Sequence, residues 1–367
     1  MITGINASFA RKFNTGLGQV TVNYLKALRK KRGEKKYILY FEEDLEFDFS
    51  DFKKRVFLPF YKRDDLIRKI WWEKISLPRM AEKDKCDEFL SIYQCPAVFS
   101  KRINHTMIVH DIIPKLFPAY LNNFRKKVYW KLTENAIKKA DKIIAISKHT
   151  KRDLADYLNI SKEKIEVRYI DVDSIYKREI PEEESRYILK KYDLSPGYIY
   201  NAGGLDRRKN VGGLIEAYAW LLKKEKNIPE LVISGKLMPE MSPLITDVEK
   251  IAKGLKVGGK IKFLDFVPQE DMPALYKNAK LFVYPSFYEG FGLPILEAMN
   301  CGVPIAASGA SSIPEVGGEA VSYFDPEDPV DIAKKMDEIL FDEYLRNKLI
   351  EKGREQAKKF SWEEFIK

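Results

Sequence analysis

Three short stretches of this 367-residue sequence set chemistry-bearing side chains beside glycines. In Asn201-Ala202-Gly203-Gly204-Leu205-Asp206-Arg207-Arg208-Lys209-Asn210, three cations and two glycines meet where a strand gives way to a helix. Cations at a helix start oppose its dipole, so the arrangement costs stability unless an anion lies between them, and a diphosphate would fit. A segment with a purely structural role would more often carry Asp or Ser there. In the second stretch, Tyr284 to Met299, Glu289 sits on a loop with Gly290 and Gly292, and Glu297 lies in a helix begun by Pro294. Carboxylates so placed accept hydrogen bonds from neutral hydroxyls, each worth roughly 1.5–3 kcal/mol when dry, and sugar or ribose hydroxyls are natural partners. The apolar neighbours Ile295, Leu296, Ala298 and Met299 argue against Glu297 being a merely solvated helix residue. The third stretch, Gly16-Leu17-Gly18 after Asn14-Thr15, brings backbone N–H groups to a helix start. It reads equally as an anion contact or as a turn into the helix. It is not the dinucleotide fingerprint, because the third glycine is missing and no clean strand precedes it.

The elements that must hold these residues alternate in a βαβ manner, which predicts parallel sheets and an α/β fold. Strands are expected at Tyr198-Ile199-Tyr200, Leu231-Val232-Ile233, Ile261–Leu264, Leu281–Tyr284 and Val303–Ala307, with helices at Asn210–Lys224, Ser242–Lys256, Asp271–Asn278 and Pro294–Cys301. That pattern describes a doubly wound domain. The first half is less regular, with strands at Tyr37–Phe41, Met107–Val109 and Lys142–Ile146 and helices near Gln19–Lys31, Asn123–Lys139 and Thr150–Leu158. The Pro-containing acidic stretch Asp173–Glu184 reads as the linker, and Asp342–Lys367 as a charged helical segment.

Composition agrees: 45% hydrophobic and 32% charged residues, with 20 Gly and 18 Pro, describe a folded globular chain long enough for two domains. No apolar run suits a signal peptide or a spanning helix, so the chain reads as cytoplasmic. Cys86, Cys95 and Cys301 are odd in number and form no C-x-x-C pair, and His105, His110 and His149 are wrongly spaced for zinc. No metal is expected. Residues 51–140 hold 20 Lys+Arg against 10 Asp+Glu, a surplus equal to the +10 of the whole chain. Such a face suits an anionic partner or is simply a solvated surface. Within it, Phe57 to Lys74 mingles Phe60, Tyr61, Ile70, Trp71 and Trp72 with Lys62, Arg63, Arg68, Lys69 and Lys74. This resembles an interfacial helix, and packing onto its own domain explains it equally.

Taken together, Gly16-Leu17-Gly18, His110-Asp111-Ile112-Ile113-Pro114, Ala145-Ile146-Ser147, the Gly203–Asn210 loop, Phe266-Val267-Pro268, the Glu289–Glu297 motif and Cys301-Gly302-Val303-Pro304 resemble the retaining glycosyltransferases of family 4, group 1. The resemblance spans nearly the whole chain and implies a GT-B fold, two facing Rossmann-like doubly wound α/β domains with a cleft between them. It implies an N-terminal acceptor-binding domain at 1–175, a C-terminal nucleotide-sugar donor-binding domain at 176–345, and a helical segment at 346–367 packing back toward the first domain. By the same resemblance Lys209 and a nearby arginine, Arg208 among the candidates, bind the donor diphosphate. Glu289 and the amides of Phe291, Gly292 and Leu293 hold the transferred sugar, Glu297 takes the ribose hydroxyls, and Phe266 and Val267 flank the base. His110 lies near the donor sugar, while Gly16 and Gly18 bring backbone donors to the diphosphate. His110, Lys209 and Glu289 are thus the implied catalytic set, with no cofactor beyond the nucleotide sugar. Relatives often carry an arginine where this chain has Gly204, which leaves Arg207 or Arg208 to supply that charge. Asp171-Val172-Asp173 looks like a metal-binding D-x-D but is read as a turn or cap.

The implied activity is transfer of a hexose from a nucleoside diphosphate sugar to a glycan or lipid-linked hydroxyl, with GDP-mannose the first donor expected and UDP-glucose the second. The resemblance is closest to bacterial mannosyltransferases that build surface polysaccharide. No nucleic acid is expected as partner, and the basic first half would bring the protein to the inner face of an anionic membrane. Two alternatives remain open: a nucleotide-sugar epimerase or glycan phosphorylase on the same fold, and a membrane or polyanion binding protein using the basic half.

Overall fold

A computed structural model of the protein describes residues 1–31, 33, 35–43, 49, 51–57, 66–225, 227–241 and 244–367. The chain forms two compact units, Met1–Ile170 with Ser361–Lys367, and Asp171–Phe360. The division thus falls just before the expected linker, whose residues begin a 3-10 turn, Ser174–Lys177, and a helix, Glu182–Lys191.

The first unit carries strands β1 Ile2–Asn6, β2 Lys36–Phe41, β3 Lys53–Val56, β4 Glu88–Ser91, β5 Asn104–Val109, β6 Lys142–Ala145 and β7 Ile165–Val167. All pair in parallel in the order β3-β2-β1-β4-β5-β6-β7. The order reverses between β1 and β4, the place where open α/β sheets bind ligands at their carboxyl ends. β1 ends at Asn6 and the 3-10 turn Ser8–Lys12 intervenes before Gly16, so no strand runs directly into that glycine. The β1 sequence, Ile-Thr-Gly-Ile-Asn, has little β signal, yet it lies inside the sheet, between β2 and β4. Gly4 belongs there because an added Cβ would stand 2.6 Å from the Phe89 ring.

Caps set the helices of this unit. Asn123 Oδ1 accepts from Lys126 N at 2.9 Å to open Phe124–Lys139, and Ser147 Oγ accepts from Thr150 N at 3.0 Å to open Lys148–Leu158. The segment Ser361–Lys367 docks through Phe365, whose ring meets Tyr24 edge-on at 6.1 Å and whose carbonyl accepts from Arg168 Nη1 at 3.1 Å. In the basic aromatic stretch, Phe60, Tyr61, Lys62 and Arg63 lie outside the described residues. Of the remainder, Trp72 is core and donates to Ser8 Oγ at 3.1 Å, whereas Trp71 is 56% exposed. Lys69 turns inward over the rings of Phe9 and Tyr129, at 4.7 and 4.8 Å.

The second unit carries β8 Tyr198–Asn201, β9 Leu231–Ile233, β10 Ile261–Phe263, β11 Ala279–Tyr284, β12 Ile305–Ser308 and β13 Val321–Phe324. They are parallel in the order β10-β9-β8-β11-β12-β13, reversing between β8 and β11. β8 and β12 are buried along their whole length, as expected for parallel strands covered on both faces. Helices Val211–Lys224 and Pro329–Phe341 close one core through Leu214, Tyr218, Ile332 and Met336. The helix expected at Ser242–Lys256 is shorter, Val248–Gly254; Ser242 and Pro243 lie outside the described residues, and Ile245 is spent on an antiparallel bridge to Asp206.

Candidate active site

The loops after β8 and β11 leave adjacent strands at the reversal point of the second sheet. Asn201 Nδ2 ties these strand ends together by donating to the Val283 carbonyl at 2.9 Å. Beyond it the chain turns through Gly203 at φ +117°, a conformation that favours glycine. An added Cβ there would also lie 3.2 Å from the Tyr284 ring, so a side chain at this position would crowd that ring. Gly204 follows at φ +93°, a conformation that an arginine there would adopt only under strain.

Asp206 Oδ1 then accepts from Arg208 N at 3.0 Å and caps a 3-10 turn, Arg207–Lys209. Asn210, left-handed at φ 52°, ends the turn and caps the following helix through Gly213 N at 3.3 Å. The cations therefore occupy a turn of their own rather than the first turn of the helix. Arg207 is exposed, while Arg208 and Lys209 point back over the strand ends.

There they meet Glu289. Lys209 Nζ donates to Glu289 Oε1 at 2.6 Å, Arg208 Nη1 stands 3.0 Å from the same oxygen, and Tyr284 OH donates to it at 2.8 Å. Lys209 also donates to the Tyr284 oxygen at 2.8 Å, and Arg208 to the Tyr288 carbonyl. The anion that the cations call for is thus provided within the chain. Arg208, not Arg207, is the arginine of the cluster. Burial would raise the Glu289 carboxyl, but the Lys209 and Arg208 charges outweigh it and hold the group near 2. Burial pushes Lys209 below the ordinary lysine range. Two positive charges, Arg208 and Lys209, contact the one negative charge of Glu289, and Asp206 is a second, more distant ion-pair partner 3.8 Å from Arg208 Nε.

The loop after β12 completes the frame, a role not legible in its Ser-Gly-Ala-Ser-Ser sequence. Glu289 N donates to Ser311 Oγ at 2.9 Å, and Ser312 Oγ shares its proton between the carbonyls of Glu289 and Phe291, at 2.8 and 2.9 Å. Phe291 is buried against Phe360, and Gly292 at φ 103° starts the helix Leu293–Asn300. The helix thus begins one residue before Pro294, and the amides of Gly292 and Leu293 lie at its first turn.

Glu297, on that helix, occupies a different environment. Its Oε2 accepts from Tyr276 OH at 2.8 Å, Tyr176 is a second phenol donor, and the rings of Tyr176, Tyr200 and Tyr276 form an edge-to-face cluster. Burial raises its carboxyl to about 7, only partly countered by the two phenols and Lys209. The two glutamates of one motif are therefore driven in opposite directions: one is fixed as an anion among cations, the other sits near its titration midpoint among tyrosines. Phe266 is 48% exposed and Val267 half-buried, both on the loop after β10.

In the first unit, Gly18 has a steric reason to be glycine: an added Cβ would lie 1.9 Å from the Lys12 carbonyl oxygen. Its amide donates to Thr15 Oγ1 at 3.2 Å, so that donor is engaged locally. Gly16 opens the helix Gly16–Lys31 and has open space where a Cβ would stand. His110, just past β5, is buried. Its Nε2 lies 2.8 Å from the Ile92 carbonyl, so that nitrogen carries the proton, and burial lowers its pKa to about 4. Gln94 Oε1 accepts from His110 N at 3.2 Å and Thr150 Oγ1 donates to the His110 carbonyl at 3.1 Å. The ring is therefore neutral and firmly oriented.

Among the described residues no three His, Cys, Asp or Glu side chains converge as a metal site. Asp171 Oδ1 accepts from Val172 N at 2.8 Å and pairs with Lys177, while Asp173 Oδ1 accepts from Ile175 N at 3.0 Å. Asp173 thus caps the turn Ser174–Lys177, and Asp171 is held in an ion pair.

Residues 14–173 match the model of Glycosyltransferase Family 4, and residues 185–356 match that of Glycosyl transferases group 1. O-antigen chain mannosyltransferase B of Escherichia coli is 36% identical over 255 residues, 69% of this chain and 66% of that protein. The serotype-specific mannosyltransferase WbdA of Escherichia coli is 33% identical over 264 residues, 70% of this chain and 31% of that protein. The aligned part thus spans just under two thirds of the first relative and under a third of the second. Among solved structures, WaaG, a glycosyltransferase involved in lipopolysaccharide biosynthesis, superposes with a TM-score of 0.75 at 15% identity, covering 100% of this chain and 97% of its own. At that identity the likeness establishes the fold alone.

Proposed function

The chain belongs to the family 4, group 1 glycosyltransferases and has their GT-B α/β fold, and from that premise we propose that it transfers mannose from GDP-mannose to a hydroxyl of a growing glycan or lipid-linked acceptor, with retention of anomeric configuration and without a metal. The observation that carries this reading is the buried Arg208–Lys209–Glu289 cluster at the carboxyl ends of β8 and β11. Its surplus positive charge suits a diphosphate leaving group, whose charge grows in the transition state, and its carboxylate suits sugar hydroxyls. Mannose as the first choice rests on the names of the relatives at 33–36% identity; UDP-glucose is the second choice.

In the proposed reaction the bond from the anomeric carbon to the donor phosphate oxygen breaks, and the acceptor oxygen forms its bond on the same face. The acceptor proton passes to the departing diphosphate. Arg208 and Lys209 bind that diphosphate, Glu289 and the amides of Phe291, Gly292 and Leu293 hold the sugar, and His110 serves as a neutral hydrogen-bonding group. Glu297 receives the ribose hydroxyls, Phe266 and Val267 flank the base, and Gly16 lends a backbone contact, the Gly18 amide being held by Thr15. No described helix is long and apolar enough to cross a membrane. We place the protein in the cytoplasm, touching an anionic membrane face through Ile67, Trp71 and Phe124, which are 46%, 56% and 80% exposed on two basic helices.

Calorimetric titration with GDP, UDP, ADP and dTDP tests the donor assignment. Selective binding of GDP that is lost in Lys209→Ala supports it; equal indifference to all four overturns it.

A further inference from the structure

Three donors converge on one oxygen, Glu289 Oε1, and they differ in kind. Arg208 and Lys209 are cations on long side chains, the groups that an incoming diphosphate would engage. Tyr284 is neutral, ends the rigid strand β11, and has no attraction to an anion comparable to theirs. An ammonium has no lone pair, so the 2.8 Å contact from Lys209 Nζ to the Tyr284 oxygen uses the phenol as acceptor. The phenol's own hydrogen must then point along its 2.8 Å contact to Glu289. The ring cannot swing away: it is 1% exposed, stacks on Phe282 with centroids 6.0 Å apart, and stands so near Gly203 that an added Cβ there would lie 3.2 Å from it.

When a diphosphate draws Arg208 and Lys209 toward itself, Tyr284 is the donor whose place does not change. We propose that Tyr284 is a positioning residue of the transfer site, the fixed hydrogen-bond donor that keeps Glu289 oriented and ionised while Arg208 and Lys209 exchange the carboxylate for the donor diphosphate. The inference rests on the donor-site reading above. The charged and titratable groups that face Glu289 are Arg208 and Lys209, with Asp206 as a further partner of Arg208, from the loop after β8, and Tyr284 from β11. Ser311 and Ser312, from the loop after β12, hold only its backbone. The phenol therefore matters most in the nucleotide-bound state, where the cations no longer offset the burial of the carboxylate.

The test is proton linkage. Wild type and Tyr284→Phe are titrated with GDP and UDP near pH 6.5 in two buffers of different ionisation enthalpy, which counts the protons taken up on binding. Tyr284→Phe should take up more protons than wild type, and the excess should vanish in Tyr284→Phe/Glu289→Gln, which assigns the proton to Glu289. The acid limb of the transfer rate should move up by about one pH unit, the equivalent of a tenfold change in ionisation. In the same variant kcat should fall at least tenfold while nucleotide affinity changes less than threefold. Melting curves of all variants confirm the fold. Wild-type proton uptake and an unshifted pH profile in Tyr284→Phe would overturn the inference alone. A wild-type protein that binds no nucleoside diphosphate would overturn the donor-site reading together with it.

Discussion

Replacing Glu297 by glutamine should flatten the pH dependence of stability. In the folded protein the carboxyl is raised from 4.5 to about 7, first because it is buried and without a cation at bonding distance among the tyrosines around it. A carboxyl raised on folding holds its proton more tightly in the native state. Its contribution is complete below pH 4.5 and is lost as pH rises through about 7. That interval, at about 1.36 kcal/mol per pKa unit, corresponds to about 3 kcal/mol between the two limits. Glutamine keeps an acceptor for the Tyr276 hydroxyl and resembles the protonated acid, so the variant escapes the loss. Urea unfolding of both proteins from pH 5 to 8 should show wild type losing roughly 2–3 kcal/mol relative to Glu297→Gln across the range. A constant difference between the two would refute the reasoning, because it would mean that Glu297 ionises in its cage as an ordinary surface glutamate does.

Lys209→Ala and Glu289→Ala should each nearly abolish transfer while far-UV circular dichroism stays at wild type; normal turnover in either would remove the cluster from the reaction. Gly18→Ala should cost about 3 kcal/mol, read as a lowered melting temperature, because the added carbon meets main-chain atoms that a rotamer change cannot move. Trp71→Ser combined with Phe124→Ser should reduce sedimentation with vesicles of anionic lipid without changing turnover on a soluble acceptor. Undiminished sedimentation would exclude that face as the contact.

The alternation of strands and helices was legible in the second unit because its strands are continuous apolar runs and its helices have clean periods. Five of its six strands fall where hydrophobic patterning puts them; β13, with half-buried Ser322 and Tyr323, lacks a distinguishing pattern. The first unit was harder to read. β1 owes its place to flanking strands rather than to its own residues, and β3, Lys-Lys-Arg-Val at the sheet edge, carries the charges that protect edges and hide them from a hydrophobicity reading. In the site, a cationic loop and a loop glutamate followed from residue type, glycine and position, each read on its own. The partners that fix them did not. Tyr284 reads as a buried strand aromatic, Ser311 and Ser312 as turn residues, and Tyr176 and Tyr276 as core; only tertiary contact reveals that their hydroxyls serve carboxylates and backbone.

The return of Ser361–Lys367 to the first unit has a consequence for the order in which the protein is made. The ring of Phe365, 1% exposed, fills a place beside Tyr24 on the helix Gly16–Lys31, which is synthesised long before it. Translation delivers that ring only after all of residues 171–360, so the first unit must wait, with its Tyr24 surface open to water, while the second is produced and folds. During that interval the nascent chain presents an unfinished apolar seat, the kind of transiently exposed surface through which incompletely folded chains aggregate.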